Sequence, residues 1–200
     1  MTSDASCLSG SVSSTPSPLP PIIVLSGSDR RPGRMPEGEQ AFHPLSGYKG
    51  VDLRIDGRAL VIHVIERLQA SECFAAVYVA GPADAHREVI AGAGITEECL
   101  IDVDGRIGEN VRAALEAVRR DFPGQPIAFT TCDVLPDAEL LRRVMRRYGE
   151  CVPCDVFFPL IAAPANEADM GASTWKPTYS LVDAPGEAPR KVLPLSLIHI

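Results

Sequence analysis

Short, mostly apolar runs alternate along this chain with longer stretches whose apolar residues recur at helical spacing, and that alternation restricts the fold more than any other feature. Ile22-Ile23-Val24-Leu25, Phe74 to Ala80, Leu100 to Val103, Ile127 to Thr131 and Asp155 to Leu160 read as strands. Apolar runs without polar alternation are what strands covered on both faces show. Between them, Arg58 to Ala70 sets Val61, Val64, Ile65 and Leu68 on one helical face. Ala83 to Ala91 is a short helix, and Glu109 to Asp121 places Val111, Ala114, Leu115 and Val118 opposite Arg112, Glu116, Arg119 and Arg120. Asp137 to Tyr148 carries Leu141, Val144, Met145 and Tyr148 on its apolar side. Val51 to Asp56 reads as a brief extended segment closed by an Asp56-Gly57 turn. Strand and helix in alternation imply a three-layer α/β/α domain with a mainly parallel sheet and ligands at the carboxyl ends of its strands.

Two features lie at that edge. The first strand breaks into Ser26-Gly27-Ser28-Asp29-Arg30-Arg31-Pro32-Gly33-Arg34-Met35. Backbone N–H groups in a small-residue turn and guanidinium forks both suit phosphate oxygens. The chain as a whole is acidic, with net charge −7, which argues against a general nucleic-acid binder. A local arginine cluster in such a chain suits a small anionic ligand. The second feature is Asp133, which follows the Ile127 to Thr131 run and offers the hard carboxylate oxygen that Mg²⁺ takes. Asp137 lies nearer the next helix and fits the role of its N-cap. Gly108 and Asn110 stand at a helix start, where free N–H groups and an amide can meet a nucleotide; plain helix initiation explains them as well. Lys49 is either a phosphate partner or a solvated surface lysine.

Leu25-Ser26-Gly27-Ser28, Gly33-Arg34-Met35, Lys49, Gly108-Glu109-Asn110 and Thr131-Cys132-Asp133, in this order, resemble the MobA-like nucleotidyltransferases. That family includes molybdenum-cofactor guanylyl- and cytidylyltransferases and sugar-phosphate nucleotidylyltransferases, and its fold is the GT-A, nucleotide-diphospho-sugar transferase type. The resemblance runs from about Pro21 to Leu160. The family's first loop reads approximately Leu-Ala-Gly-Gly-x-Gly-x-Arg-Met. Here Ser28 replaces a glycine, Gly33 directly precedes Arg34, and extra residues separate Arg34 from Lys49. The resemblance implies an enzyme that moves a nucleotidyl group from an NTP to a phosphorylated small-molecule acceptor, releasing pyrophosphate. It implies nucleotide binding at Leu25, Ser26, Gly27, Ser28, Gly108 and Asn110, catalytic charge neutralisation by Arg34 and Lys49, and Mg²⁺ at Asp133. It also implies a second metal-binding carboxylate from a later strand, to which no residue here is assigned. The departures in the first loop keep open a catalytically inactive nucleotide-binding or regulatory protein of the same fold. A Rossmann dehydrogenase is not supported, because Gly-x-Gly-x-x-Gly is absent after Leu25 and no acidic residue ends the Phe74 to Ala80 strand.

The remaining features bound the setting. Met1 to Pro20, rich in Ser, Thr and Pro, reads as a flexible tail without the marks of a signal peptide. No apolar run approaches the roughly 18 residues of a membrane span, so neither a membrane nor nucleic acid is an expected partner. Six cysteines at unremarkable spacings give no disulfide framework and suit a cytoplasmic protein. Cys151-Val-Pro-Cys154 lacks the second Cys or His pair of a zinc site. His63, beside the apolar stripe of its helix, reads as structural. One domain is expected over residues 21–194, continuing further in the native protein, because Leu195 to Ile200 resembles a translated adaptor sequence and reads as a non-native tail.

Overall fold

The computed structural model describes residues 19–27, 48–151, 154–157, 159–162, 179–181, 188, 190–194 and 198–199. At its centre is a five-stranded sheet in the order β10-β6-β1-β4-β5, formed by Ile198–His199, Ala128–Thr131, Ile22–Leu25, Val77–Gly81 and Leu100–Asp102. β1 pairs in parallel with β4 (Ile22 opposite Val77) and with β6 (Ile22 opposite Ala128). β5 extends the parallel set, and β10 closes the other edge antiparallel to β6. The chain steps outward from β1 to β4 and β5, then returns across the sheet to β6 on the far side of β1. That reversal places a ligand crevice outside the carboxyl ends of the central strands.

Side chains alternate between the two faces of the sheet, as strand geometry requires. Ile22 and Val24 of β1, Val77 and Val79 of β4 and Ala128 of β6 face one way. They are covered by Val61, Val64, Ile65 and Leu68 of α2 (Leu60–Ser71), Ile90 of α3 (Ala83–Ala91) and Leu141 of α5 (Ala138–Cys151). Ile23, Tyr78, Ala80 and Phe129 face the other way, onto Ala114 and Val118 of α4 (Ile107–Asp121). The result is the α/β/α sandwich expected from the alternation of runs, with α2, α3 and α5 on one side and α4 on the other. No helix among the described residues is long and apolar enough to cross a membrane.

Helix ends follow local chemistry. Asp137 Oδ1 accepts from the N–H groups of Glu139 and Leu140, each at 3.0 Å, so it caps α5 as its position suggests. The N–H of Arg106 donates to Glu109 Oε2 at 2.9 Å, so a first-turn glutamate reaches back to cap the start of α4. Asp102 is the less obvious case. Its carboxylate reaches from β5 to accept the N–H of Ala83 at 2.9 Å, and so caps α3 from a neighbouring strand.

Two segments differ from the sequence reading. Val51 to Asp56 is not simply extended: Lys49–Asp52 forms the one-turn helix α1, and Arg54–Ile55 (β2) then pairs antiparallel with Arg58–Ala59 (β3). The Asp56-Gly57 turn between them has positive φ at both residues, 50° and 78°, which is the hairpin geometry that Asp-Gly favours. α2 consequently starts at Leu60 rather than Arg58. The second difference concerns Asp155 to Leu160, which adds no strand to the parallel sheet among the described residues. Leu160 instead opens β7 (Leu160–Ala162), which joins β8 (Tyr179–Leu181) and β9 (Arg190–Pro194) in a separate antiparallel sheet of order β7-β9-β8. The Phe157 ring packs on Tyr148 near the end of α5, with centroids 5.6 Å apart. Antiparallel pairing with residues far along the chain leaves no local periodicity to distinguish this strand from one in the main sheet.

Candidate active site

The carboxyl ends of β1, β4, β5 and β6 are bound to one another beyond the last regular strand residues. The N–H of Ser26 donates to Ala80 O at 2.8 Å, that of Cys132 to Leu25 O at 3.0 Å, and that of Val103 to Gly81 O at 3.2 Å. Four segments that lie far apart in sequence therefore leave the sheet side by side.

Ser26 and Gly27 continue β1 into this edge. Ser26 is fully buried, and its hydroxyl lies 2.7 Å from Nε2 of the equally buried His86 in α3. The other ring nitrogen, Nδ1, lies 2.9 Å from the Pro82 carbonyl. A carbonyl can only accept, so Nδ1 carries the proton and Nε2 accepts from the Ser26 hydroxyl. Burial holds the His86 pKa below its ordinary value, opposed by the Pro82 carbonyl, the Asp52 carboxylate and the Ser26 backbone. Backbone packs tightly around this pair. A Cβ at Gly50 would overlap the Ser26 hydroxyl and come within 3.2 Å of Cys132 Cβ, and one at Gly81 would lie 2.7 Å from the His86 ring. α1 can therefore sit directly on the end of β1 only because residue 50 is glycine. The Tyr48 N–H donates to Asp52 Oδ2 at 2.7 Å, closing α1 on itself, and the Tyr48 ring meets His86 edge-on.

Gly27 lies beneath Asn110. A Cβ at Gly27 would come within 3.3 Å of Asn110 Nδ2, while Asn110 Oδ1 accepts the Gly105 N–H at 2.8 Å. The amide thus bridges the turn before α4 to the loop after β1, and its oxygen is occupied by that work. Gly108, in the first turn of α4, is exposed, with open space where a side chain would project. Asp133 follows β6 and is exposed on the same edge; the Thr131 hydroxyl donates to its Oδ1 at 2.6 Å, which orients the carboxylate. Such a single oriented carboxylate has the donor chemistry of an Mg²⁺ site, since that ion characteristically takes one or two protein carboxylates and fills its octahedron with phosphate oxygens and water. Among the described residues no three His, Cys, Asp or Glu side chains gather as a protein-only metal cage.

The expected site residues are therefore placed as follows. Leu25, Ser26, Gly27, Asn110, Gly108 and Asp133 come to one edge of the sheet, and Lys49 opens α1 next to Gly50 on that edge. Ser28 and Arg34, with Arg30 and Arg31, lie outside the described residues. Ser26 turns its side chain inward to His86 and gives its N–H to Ala80 O, so, unlike the expectation for it, it serves the site by placing Gly27 rather than by contacting a ligand. Asp102 serves α3, and Asp104 is exposed in the loop that follows. His63 is bonded through Nε2 to the Ile55 carbonyl at 3.0 Å, a structural role as its position suggested. Cys151 ends α5 and Cys154 lies just beyond it, both as free thiols. Sequence reasoning passed over His86 and Gly50. No short-range signal marks either, because their partners are Ser26 and Cys132, both distant in the chain.

Comparison with known proteins agrees with this fold. The chain superposes on CMP:2-keto-3-deoxy-manno-octonic acid synthetase, solved in complex with CTP, with a TM-score of 0.60 over 90% of this chain and 72% of that one. At 16% identity the likeness is one of fold. No curated protein sequence matches the chain. The model of the MobA-like NTP transferase domain matches residues 49–170, a range that begins at Lys49 and includes Gly108, Asn110 and Asp133 but not the loop after β1. That match spans more than half of the 200 residues, and with the parallel sheet and its shared ligand edge it shows that the chain belongs to the MobA-like NTP transferase family, a group of nucleotidyltransferases of GT-A fold.

Proposed function

We propose that this protein is a cytoplasmic enzyme that transfers a nucleotidyl group from an NTP to a phosphorylated small-molecule acceptor. An acceptor phosphate oxygen attacks the α-phosphorus in line, the bond from that phosphorus to the α–β bridging oxygen breaks, and pyrophosphate leaves. The observation that supports this most directly is the meeting of Gly27 with Asn110 on the sheet edge that also carries Asp133. The backbone N–H groups of Gly27, Ser28 and Gly108 would position the triphosphate, while Arg34 and Lys49 would neutralise its charge as pyrophosphate departs. Asp133, oriented by Thr131, would hold Mg²⁺, which when bound draws charge from the phosphate oxygens. The acceptor needs no general base, because a phosphate is already anionic at neutral pH. His86 would be a poor base in any case, being buried with both ring nitrogens engaged.

The test is Mg²⁺-dependent pyrophosphate release from each of the four common NTPs with a panel of phosphorylated acceptors. Asp133→Asn is expected to lower turnover by at least about a hundredfold, as the loss of an electrostatic partner to the transferring phosphoryl group does, with the far-UV circular dichroism unchanged. Near wild-type turnover in Asp133→Asn would remove that residue from the site. Nucleotide binding without release across the whole panel would favour the inactive, regulatory reading raised by Ser28 and the altered loop spacing.

A further inference from the structure

The most unusual chemistry in the described core is the serine–histidine pair. Ser26 and His86 are both inaccessible to solvent, 60 residues apart in sequence, and joined at 2.7 Å. An apolar pair could fill the same space with no polar group to satisfy, so packing alone does not explain why a hydroxyl and an imidazole occupy it. The geometry around them does. The Ser26 N–H is tied to Ala80 O, its carbonyl lies against Gly81, and its hydroxyl is held by His86, so this residue is fixed on three sides. His86 is fixed in turn by the Pro82 carbonyl and flanked by the Tyr48 ring. Gly50 rests on the Ser26 hydroxyl. One hydrogen bond thus sets the relative position of the Ser26-Gly27 backbone and the Lys49-Gly50 backbone, which meet nowhere else by local sequence.

We propose that His86 is a positioning residue for nucleotide binding, acting through Ser26 to hold the Gly27 backbone and the start of α1 at the spacing a bound triphosphate requires. This rests on the proposed function, since both segments are taken there as contacts to the nucleotide phosphates. His86 itself touches no substrate. Its imidazole works by direction: Nδ1–H is committed to Pro82, so Nε2 presents its lone pair to Ser26, and the serine can satisfy its buried hydroxyl in one rotamer only. Without that acceptor the hydroxyl turns elsewhere, and the surface on which Gly50 rests changes shape.

The test measures binding of Mg²⁺ complexes of the four common NTPs by calorimetry, below the unfolding midpoint of every variant, for wild type, Ser26→Ala, His86→Ala, the double variant and His86→Gln. Ser26→Ala and His86→Ala are each expected to weaken the tightest NTP by about tenfold or more, as misplacement of a positioning group does. The double variant is expected to lie within about twofold of the weaker single one, because the two residues act as one unit. His86→Gln, which can return an acceptor to the serine, is expected to recover binding to within about threefold of wild type. A folded Ser26→Ala or His86→Ala protein with a lowered midpoint but unchanged affinity would overturn the proposal and leave a purely structural pair. Ser26→Ala, which deletes a single atom, keeps the test decisive if His86→Ala fails to fold. Absence of NTP binding in the wild type would instead overturn the proposed function, and this inference with it.

Discussion

Gly50→Ala offers a quantitative check on the packing at the end of β1. The new methyl group would overlap the Ser26 hydroxyl and press on Cys132 Cβ and Sγ, at 3.2 and 3.3 Å. Rotating Ser26 away relieves the first overlap but takes its hydroxyl off His86 Nε2, leaving a buried acceptor unpaired at about 1–3 kcal/mol. Keeping the bond requires α1 to move, an overpacking penalty of about the same size. Either route gives a loss near 2 kcal/mol. Ser26→Ala alone strands the same histidine nitrogen and loses about 1–2 kcal/mol. In the double variant the overlap with the hydroxyl is gone and the histidine penalty is incurred once, so the two effects should fall short of additivity by at least about 1 kcal/mol. Urea unfolding followed by far-UV circular dichroism measures all four corners of this cycle, and the non-additivity corresponds to roughly 2–4 °C in Tm for a chain of this size. Additivity within about 0.4 kcal/mol would show that Gly50 and Ser26 do not share the space assigned to them.

Other consequences are open to direct measurement. Folded His86 binds a proton less readily than the unfolded chain, chiefly through burial. Its contribution to stability is therefore complete above the ordinary histidine value near 6.5 and is lost as pH falls from there, by up to about 1.4 kcal/mol per pH unit. Urea midpoints taken between pH 7.5 and 5 should fall more steeply for wild type than for His86→Gln, and equal slopes would contradict the buried neutral imidazole. Asp102→Ala removes the acceptor of the Ala83 N–H at the start of α3 and should lower stability by about 0.5–2 kcal/mol. Asp137→Ala unpairs two N–H groups of α5 and should lose about 1 kcal/mol. A thermal melt unchanged in either variant would show that the corresponding cap does not operate in solution.

The parts of the fold that could be read along the sequence are those whose cause is local. α2, α4 and α5 declare themselves through apolar residues at helical spacing, and β1, β4 and β6 through uncharged runs that suit strands covered on both faces. Asp137 could be assigned as a cap because the N–H groups it accepts lie two and three residues on. Asp102 could not, since the N–H it serves is 19 residues back and adjacent only after β4 and β5 pair. The same holds at the site. Gly27, Asn110 and Asp133 could be placed on one edge because each ends or begins a legible element. The union of Ser26 with His86, and the requirement for glycine at position 50, arise from the approach of three separate segments. Gly50 looks like ordinary turn punctuation in sequence, whereas in the fold its role is to let two backbones touch. Asp155 to Leu160 misleads for the opposite reason: its composition suits a strand in either sheet, and only the residues that later pair with Leu160 decide which.

The central position of β1 has a further consequence for how this family can diversify. With neighbours hydrogen-bonded along both sides, β1 should be among the segments whose amides exchange with solvent only on global unfolding. Gly27 and Tyr48, which bracket the loop after this strand, are set by contacts to His86, Asn110 and Asp52 that involve nothing between them. The end of β1 and the start of α1 are thus held by the core itself, so their positions should persist in family members that keep these contacts.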